Sequence, residues 1–151
     1  MDLLYENTDN LMNTLTSGST SEVEKYLHEH FAKNEPSFIN FIDELIANKG
    51  LKRQDILIRA NLSQKYGYKL LSGETHTTDR DKILRICLSM EMSLKETQRA
   101  LKLYGMNELY PKIKRDVLLI VAISQKNYDI DMINSTLIKE GETPLYGNEA
   151  L

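Results

Sequence analysis

The stretch Leu51-Lys-Arg-Gln-Asp-Ile-Leu-Ile-Arg-Ala-Asn-Leu-Ser-Gln-Lys-Tyr-Gly-Tyr-Lys-Leu-Leu-Ser-Gly73 decides the fold of this chain. Its apolar residues fit two short helices, at about 52–60 and 63–72. Neither helix is long enough to be stable alone, so both must pack on a shared core. Between them, Asn61 tolerates the left-handed conformation that a sharp turn requires, and Ser63 can cap the second helix. The stretch therefore predicts two helices that meet at a tight turn.

Each of these helices has an apolar side and a polar side. Ile56, Leu57 and Ala60 are predicted to form the inner side of the first helix, and Leu62 points back into the core. In a helix-turn-helix, the second helix enters the major groove of DNA and its N-terminal residues meet base edges. The pattern therefore favours a DNA-binding surface, whose predicted residues are Lys52, Arg53, Arg59, Ser63, Gln64, Lys65, Tyr68 and Lys69.

The same 23 residues resemble the phage repressor and Cro-type helix-turn-helix family. Without a gap, the family's pattern is matched at Leu51, Gln54-Asp55, Ile56, Leu62, Ser63 and Gly73. Helices predicted at about 36–48, 79–90 and 94–104 complete its five-helix layout. The resemblance covers about residues 36–105. It implies a sequence-specific transcriptional regulator of prophage or mobile-element type, which acts as a dimer on double-stranded DNA with its recognition helix at about 63–72.

Five positions depart from the family's pattern. Lys52 stands where Ser or Thr usually caps the helix, Arg53 replaces a phosphate-binding Gln, and Asn61 replaces the turn Gly. Leu57 replaces an alanine, and Gly67 replaces an apolar anchor in the recognition helix. Gly67 either allows a close approach to a neighbour or to DNA, or marks a helix that no longer reads DNA. A second function therefore stays open: a small adaptor or inhibitor of another protein that keeps the fold.

Charge is unevenly distributed along the chain, whose net charge is −3. Residues 1–35 hold seven acidic and two basic residues, whereas residues 36–112 hold nine acidic and thirteen basic residues. From Lys49 to Leu71, six bases stand against one acid, Asp55, and such an excess attracts phosphate. With four or five phosphate contacts in each subunit of a dimer, log affinity would fall against log salt with a slope of about −7 to −9.

Helix signals predict an all-α chain in three parts. Ser21 and Glu24 fit a capping box, so residues 1–35 are predicted to be an acidic segment with one helix, after a weakly ordered start. Residues 36–105 are the helix-turn-helix domain. Residues 106–151 are a two-helix extension and tail, with a helical turn at about 107–110 and helices at about 112–125 and 130–140. Apolar residues of this extension predict either a core position or the seam of a homodimer, and it or the acidic segment could contact a protein partner.

The sequence carries no pattern for catalysis or metal binding. His28 and His30 are two residues apart and point in different directions on a helix, and Cys87 lies on an apolar face typical of a core. With no phosphate loop or nucleophile motif, we expect no enzymatic activity, cofactor or metal. The longest apolar run, residues 117–123, is too short to span a membrane. Because no export signal is visible and there is one cysteine, the sequence predicts a cytoplasmic protein.

Overall fold

A computed structural model describes residues 8–30 and 37–146 of the chain, and every regular element within these ranges is an α-helix. Contacts between Cα atoms divide the chain into two compact units, Met1–Ser37 and Phe38–Leu151. The predicted all-α class is confirmed for the described residues. None of their helices is long and apolar enough to cross a membrane.

The first unit has two described helices, α1 (Thr8–Ser17) and α2 (Thr20–His30), which pack against each other. The sequence predicts weak order for residues 1–20, and this prediction is wrong for the residues of α1. The predicted start of α2 is also wrong. Ser19 caps the helix instead of Ser21, because the backbone N–H of Glu22 donates to Ser19 Oγ at 3.3 Å.

Seven helices follow in the described part of the second unit. They are α3 (Phe38–Lys49), α4 (Arg53–Arg59), α5 (Gln64–Ser72), α6 (Arg80–Ser89), α7 (Leu94–Leu103), α8 (Lys114–Ser124) and α9 (Ile130–Lys139). Helix α4 packs on α5 and α6, α7 packs on α3, α6 and α8, and α8 packs on α9. The bounds of α3 to α7 lie within two residues of the predicted ones.

Local signals account for these helix ends. Ser63 Oγ accepts a hydrogen bond from the backbone N–H of Tyr66 at 3.3 Å and so caps α5, as predicted. Ser93 and Glu96 form the predicted capping box at the start of α7. Asn61 adopts the left-handed conformation expected of the turn, with φ of 55°. Each of these residues satisfies a backbone group that a helix end would otherwise leave unpaired.

Helix α6 lies at the centre of the second unit's core, and its residues 83–89 are all buried. Among them is Arg85, which is 0% exposed and whose Nε donates to the carbonyl oxygen of Ala60 at 2.9 Å. The guanidinium thus satisfies a carbonyl at the end of α4, directly before the turn to α5. Cys87 is also buried here, and burial raises the pKa of its thiol to about 12. The predicted core position of Cys87 is confirmed.

The connection from α7 to α8 differs from the prediction. The helical turn predicted at 107–110 is absent, and α8 begins at Lys114, two residues later than predicted. Arg80 explains the difference: its Nε donates to the carbonyl oxygen of Asn107 at 3.0 Å, and its Nη2 donates to that of Glu108 at 2.9 Å. These carbonyls are therefore engaged by a side chain of α6 instead of by a helical backbone.

Two reciprocal ion pairs join α6 to α8. Arg80 binds both carboxylate oxygens of Asp116, at 2.9 and 3.0 Å, and Arg115 binds both of Asp81, at 2.8 Å. The hydrogen bonds that Arg115 donates to Asp81 raise the pKa of Arg115, although its partial burial opposes this. Each pair has the two parallel bonds that make Arg–carboxylate contacts geometrically specific. The two pairs hold α8 against α6.

The apolar residues of the extension are divided between core and surface. Leu119 and Ile123 of α8 are buried, so the extension contributes to the core, as one of the two predictions states. Tyr110 and Ile113 remain 50% exposed and Val121 44% exposed. Tyr110 and Ile113 precede α8 and line one cleft, and Val121 lies within α8.

Candidate nucleic-acid interface

The outer face of α5 carries three of the predicted DNA-binding residues. Its buried side consists of Gly67, Leu70 and Leu71. Because successive residues of a helix turn by about 100°, the opposite side presents Lys65, Tyr68 and Lys69. Lys65 and Tyr68 are exposed, and Lys69 is half-buried. An ammonium group and a phenol side by side can donate hydrogen bonds to phosphate oxygens or base edges.

Gly67 is where α5 comes closest to α4. A Cβ added at Gly67 would lie 2.9 Å from Leu57 Cγ and closer still to both Leu57 methyl carbons. The two departures from the family's pattern therefore compensate each other: Leu57 is larger than the usual alanine, and Gly67 is smaller than the usual apolar anchor. The close neighbour that requires Gly67 is a helix of this chain.

At the start of α4, Arg53 is held by a carboxylate of α3. Its Nη2 lies 2.5 Å from Asp43 Oδ1, and the two side chains are 42% and 49% exposed. Lys52, directly before α4, is exposed and caps nothing with its side chain. Gln64 Nε2 donates to the carbonyl oxygen of Gln54 at 3.4 Å, which joins the start of α5 to that of α4. Arg53 and Lys52 thus stand near the N-terminal turn of the candidate recognition helix.

Two other bases of the predicted cluster form hydrogen bonds and ion pairs at the C-terminal end of α6. Arg59 Nη1 donates to the carbonyl oxygen of Ser89 at 3.3 Å and lies 3.8 Å from Glu91 Oε2. Lys49 Nζ donates to the carbonyl oxygen of Glu91 at 3.2 Å and to Glu96 Oε1 at 2.9 Å. Cations near a helix C-terminus stabilise its dipole. Arg59 lines a cleft of about 620 Å³ with the α8–α9 connection, and is not among the residues gathered beside α5.

Lys49 also affects the acidity of its carboxylate partner. Burial by itself raises the pKa of Glu96, but hydrogen bonds from Lys49 and Ser93 and the attraction of the Lys49 charge outweigh it, so the pKa lies below its usual value. Glu96 is therefore ionised at neutral pH. The Lys49–Glu96 contact is a true ion pair, and Lys49 is engaged within the fold.

A depression of about 460 Å³ beside α5 brings together Arg53, Tyr68 and Lys69 with two carboxylates, Asp43 and Glu74. Asp43 lies ten residues before Arg53, on another helix, so no local pattern connects the two. Glu74 follows the glycine that ends α5, where an acidic residue is ordinary for a loop.

The six bases between Lys49 and Leu71 thus fall into two groups. Three of them, Lys49, Arg53 and Arg59, make ion pairs. The other three, Lys52, Lys65 and Lys69, form no ion pair among the described residues. Lys49, Arg53 and Arg59 are thus at least partly engaged within the fold.

Within ranges 8–30 and 37–146, no three His, Cys, Asp or Glu side chains lie close enough together to hold a metal ion. Comparisons of this chain with protein-family models, with curated proteins and with solved structures found no match.

Proposed function

We propose that this chain binds double-stranded DNA through α4 and α5, with α5 in the major groove, as a repressor-like, sequence-specific transcriptional regulator. The observation that carries the proposal is the outer face of α5. Lys65, Tyr68 and Lys69 point away from the core on a helix whose start is capped by Ser63 and packed against α4. A short helix presented in this way by a preceding helix and a tight turn is the geometry that enters a major groove.

The surrounding helices support the same function. Helix α3 precedes the pair and α6 and α7 follow it, which is the order that the resemblance to phage repressors implies. Arg85 and the left-handed Asn61 hold the turn between α4 and α5 in place. A recognition helix needs such support, because a rigid element positions side chains on base edges more accurately than a loop does.

The salt dependence of DNA affinity tests the proposal directly. If Lys52, Lys65 and Lys69 each neutralise one phosphate, we expect a slope of log affinity against log salt of about −2.7 for one chain and about −5 for a dimer. Duplex DNA from upstream of the protein's own gene, titrated by fluorescence anisotropy at several salt concentrations, measures this slope. A flat response, or no binding to any duplex at low salt, would refute the DNA-binding function.

Replacement of both lysines on α5 should weaken DNA binding without unfolding the protein. Lys65→Ala with Lys69→Ala removes two phosphate or base contacts, so we expect affinity to fall at least tenfold while stability changes by less than about 1 kcal/mol. The control is Lys95→Ala with Lys139→Ala, two exposed lysines of α7 and α9 that carry the same total charge. Equal affinity of the two double variants would show that the α5 face is not the docking surface.

A second candidate function is that of a small adaptor or inhibitor of another protein. The half-exposed Tyr110 and Ile113, which line one cleft, favour it, since grouped apolar side chains on a surface mark contact sites. Such a protein would show no steep salt dependence with DNA, and duplex DNA would not compete with its partner. The titration described above therefore separates the two functions.

A further inference from the structure

We propose that Asp43, assisted by Glu74, limits how tightly the surface beside α5 holds DNA, by keeping Arg53 away from the phosphate backbone. This inference rests on the proposed DNA-binding function and names a restraint built into the same surface. The observation behind it is the composition of the depression beside α5. Two cations and two carboxylates line it, and the carboxylates come from α3 and from the loop after α5.

Asp43 competes with DNA phosphates for Arg53, the arginine at the start of α4. Guanidinium groups bind a carboxylate and a phosphate through the same donors, so Arg53 cannot fully serve both. Its Nη2 lies 2.5 Å from Asp43 Oδ1. Both side chains are nearly half exposed, so water screens the pair and DNA can compete for the arginine. Asp43 therefore holds Arg53 only weakly, and a high local concentration of phosphate can replace Asp43 as its partner.

Glu74 is the second carboxylate of the depression, which Lys69 also lines. The two residues line the same depression, and Glu74 has no ion-pair partner within the described part of the chain. A phosphate that approaches Lys69 from this side meets a carboxylate as well, and like charges at short range repel. The two carboxylates therefore offset the two cations of the depression, whereas Lys65 lies outside it and is exposed.

The consequence concerns non-specific binding more than specific binding. Binding to arbitrary DNA is almost entirely the electrostatic release of counterions, so its strength depends on the number of cations that reach phosphates. Gln64 and Lys65, which can contact base edges, do not line the depression that holds Arg53. Withholding Arg53 therefore lowers affinity for arbitrary sequences and leaves the reading of base edges unchanged, which increases the ratio of specific to non-specific affinity.

Asp43→Asn tests this inference with a random-sequence DNA duplex as the probe. The variant releases Arg53, so one more phosphate should be neutralised per chain. We expect affinity to increase about five- to tenfold at about 0.1 M salt and the salt slope to become steeper by about 0.9 per chain. Adding Arg53→Ala to Asp43→Asn should remove the gain in slope, because the released cation is then gone. Thermal melting of each variant checks that the fold is kept.

Asp131→Asn is the matched control, since it makes the same change of charge at an exposed position of α9 that lines the other cleft. If Asp43→Asn and Asp131→Asn raise the affinity equally, the effect is one of net charge, and the inference is wrong while DNA binding stands. If the parent binds and Asp43→Asn leaves both affinity and slope unchanged, the inference is also wrong. If neither the parent nor Asp43→Asn binds the duplex at low salt, the proposed function itself fails and the inference with it.

Discussion

Gly67→Ala should destabilise the protein by about 1–2 kcal/mol. Alanine normally gains about 1 kcal/mol over glycine inside a helix, and the sequence alone predicts that gain. Here the added methyl group would overlap Leu57, which is fully buried and cannot move into solvent. Overpacking of a core typically costs about 1–3 kcal/mol, and we expect this cost to exceed the helical gain. Urea denaturation of parent and variant measures the difference.

The sign of the effect should reverse when Leu57 is truncated. Leu57→Ala alone should cost about 2–5 kcal/mol, because it leaves a cavity in the core. In that background Gly67→Ala places a methyl group in the vacated space, so it should stabilise by about 1 kcal/mol. Leu57→Val is the milder background if Leu57→Ala does not fold, and Ser72→Ala reports what alanine does elsewhere on α5. A Gly67→Ala variant that is more stable than the parent would contradict the close packing of α4 and α5.

The sequence predicts the helices of the second unit well because their ends depend on local chemistry. Ser63 and Ser93 cap the helices that directly follow them, and Asn61 turns the chain at the next residue. The prediction for residues 107–110 fails because the conformation there depends on a contact that is distant in the sequence. Their backbone is held by Arg80, 27 and 28 residues away from its two carbonyl acceptors, and no helical period reveals such a contact.

The same distinction applies to the candidate site. Periodicity correctly predicts that Lys65 and Tyr68 lie on the exposed side of α5, because a helix fixes which residues share a face. Periodicity cannot predict which bases form ion pairs with acidic residues elsewhere in the fold. Arg53 finds Asp43 on another helix, and Arg59 finds Glu91 beyond the end of α6. A count of charges along the sequence therefore overestimates the cations that remain for phosphate.

The largest loss of stability from a single polar substitution is expected at Asp116. This carboxylate is 1% exposed and accepts hydrogen bonds from both Nη atoms of Arg80 and from the backbone N–H of Tyr110 at 2.9 Å. Asp116→Asn keeps the shape but removes the charge and turns an N–H₂ group toward the guanidinium. Breaking one partner of a buried pair costs about 3–5 kcal/mol. Since Arg80 is 26% exposed, we expect about 3 kcal/mol, a decrease in Tm of about 10 °C.

The second ion pair provides the matched control for Asp116→Asn. Asp81 is 26% exposed where Asp116 is 2% exposed in its side chain, so water screens the Asp81 carboxylate and Asp81→Asn should cost only about 1 kcal/mol. Replacing both members of the buried pair, as in Arg80→Met with Asp116→Leu, leaves no unpaired charge but removes the partners of the Asn107 and Glu108 carbonyls and of the Tyr110 N–H, so it should cost at least as much as Asp116→Asn. Calorimetry of the three variants gives the order. If Asp81→Asn costs as much as Asp116→Asn, burial does not decide the strength of these pairs, and the extension is held to α6 by its apolar contacts instead.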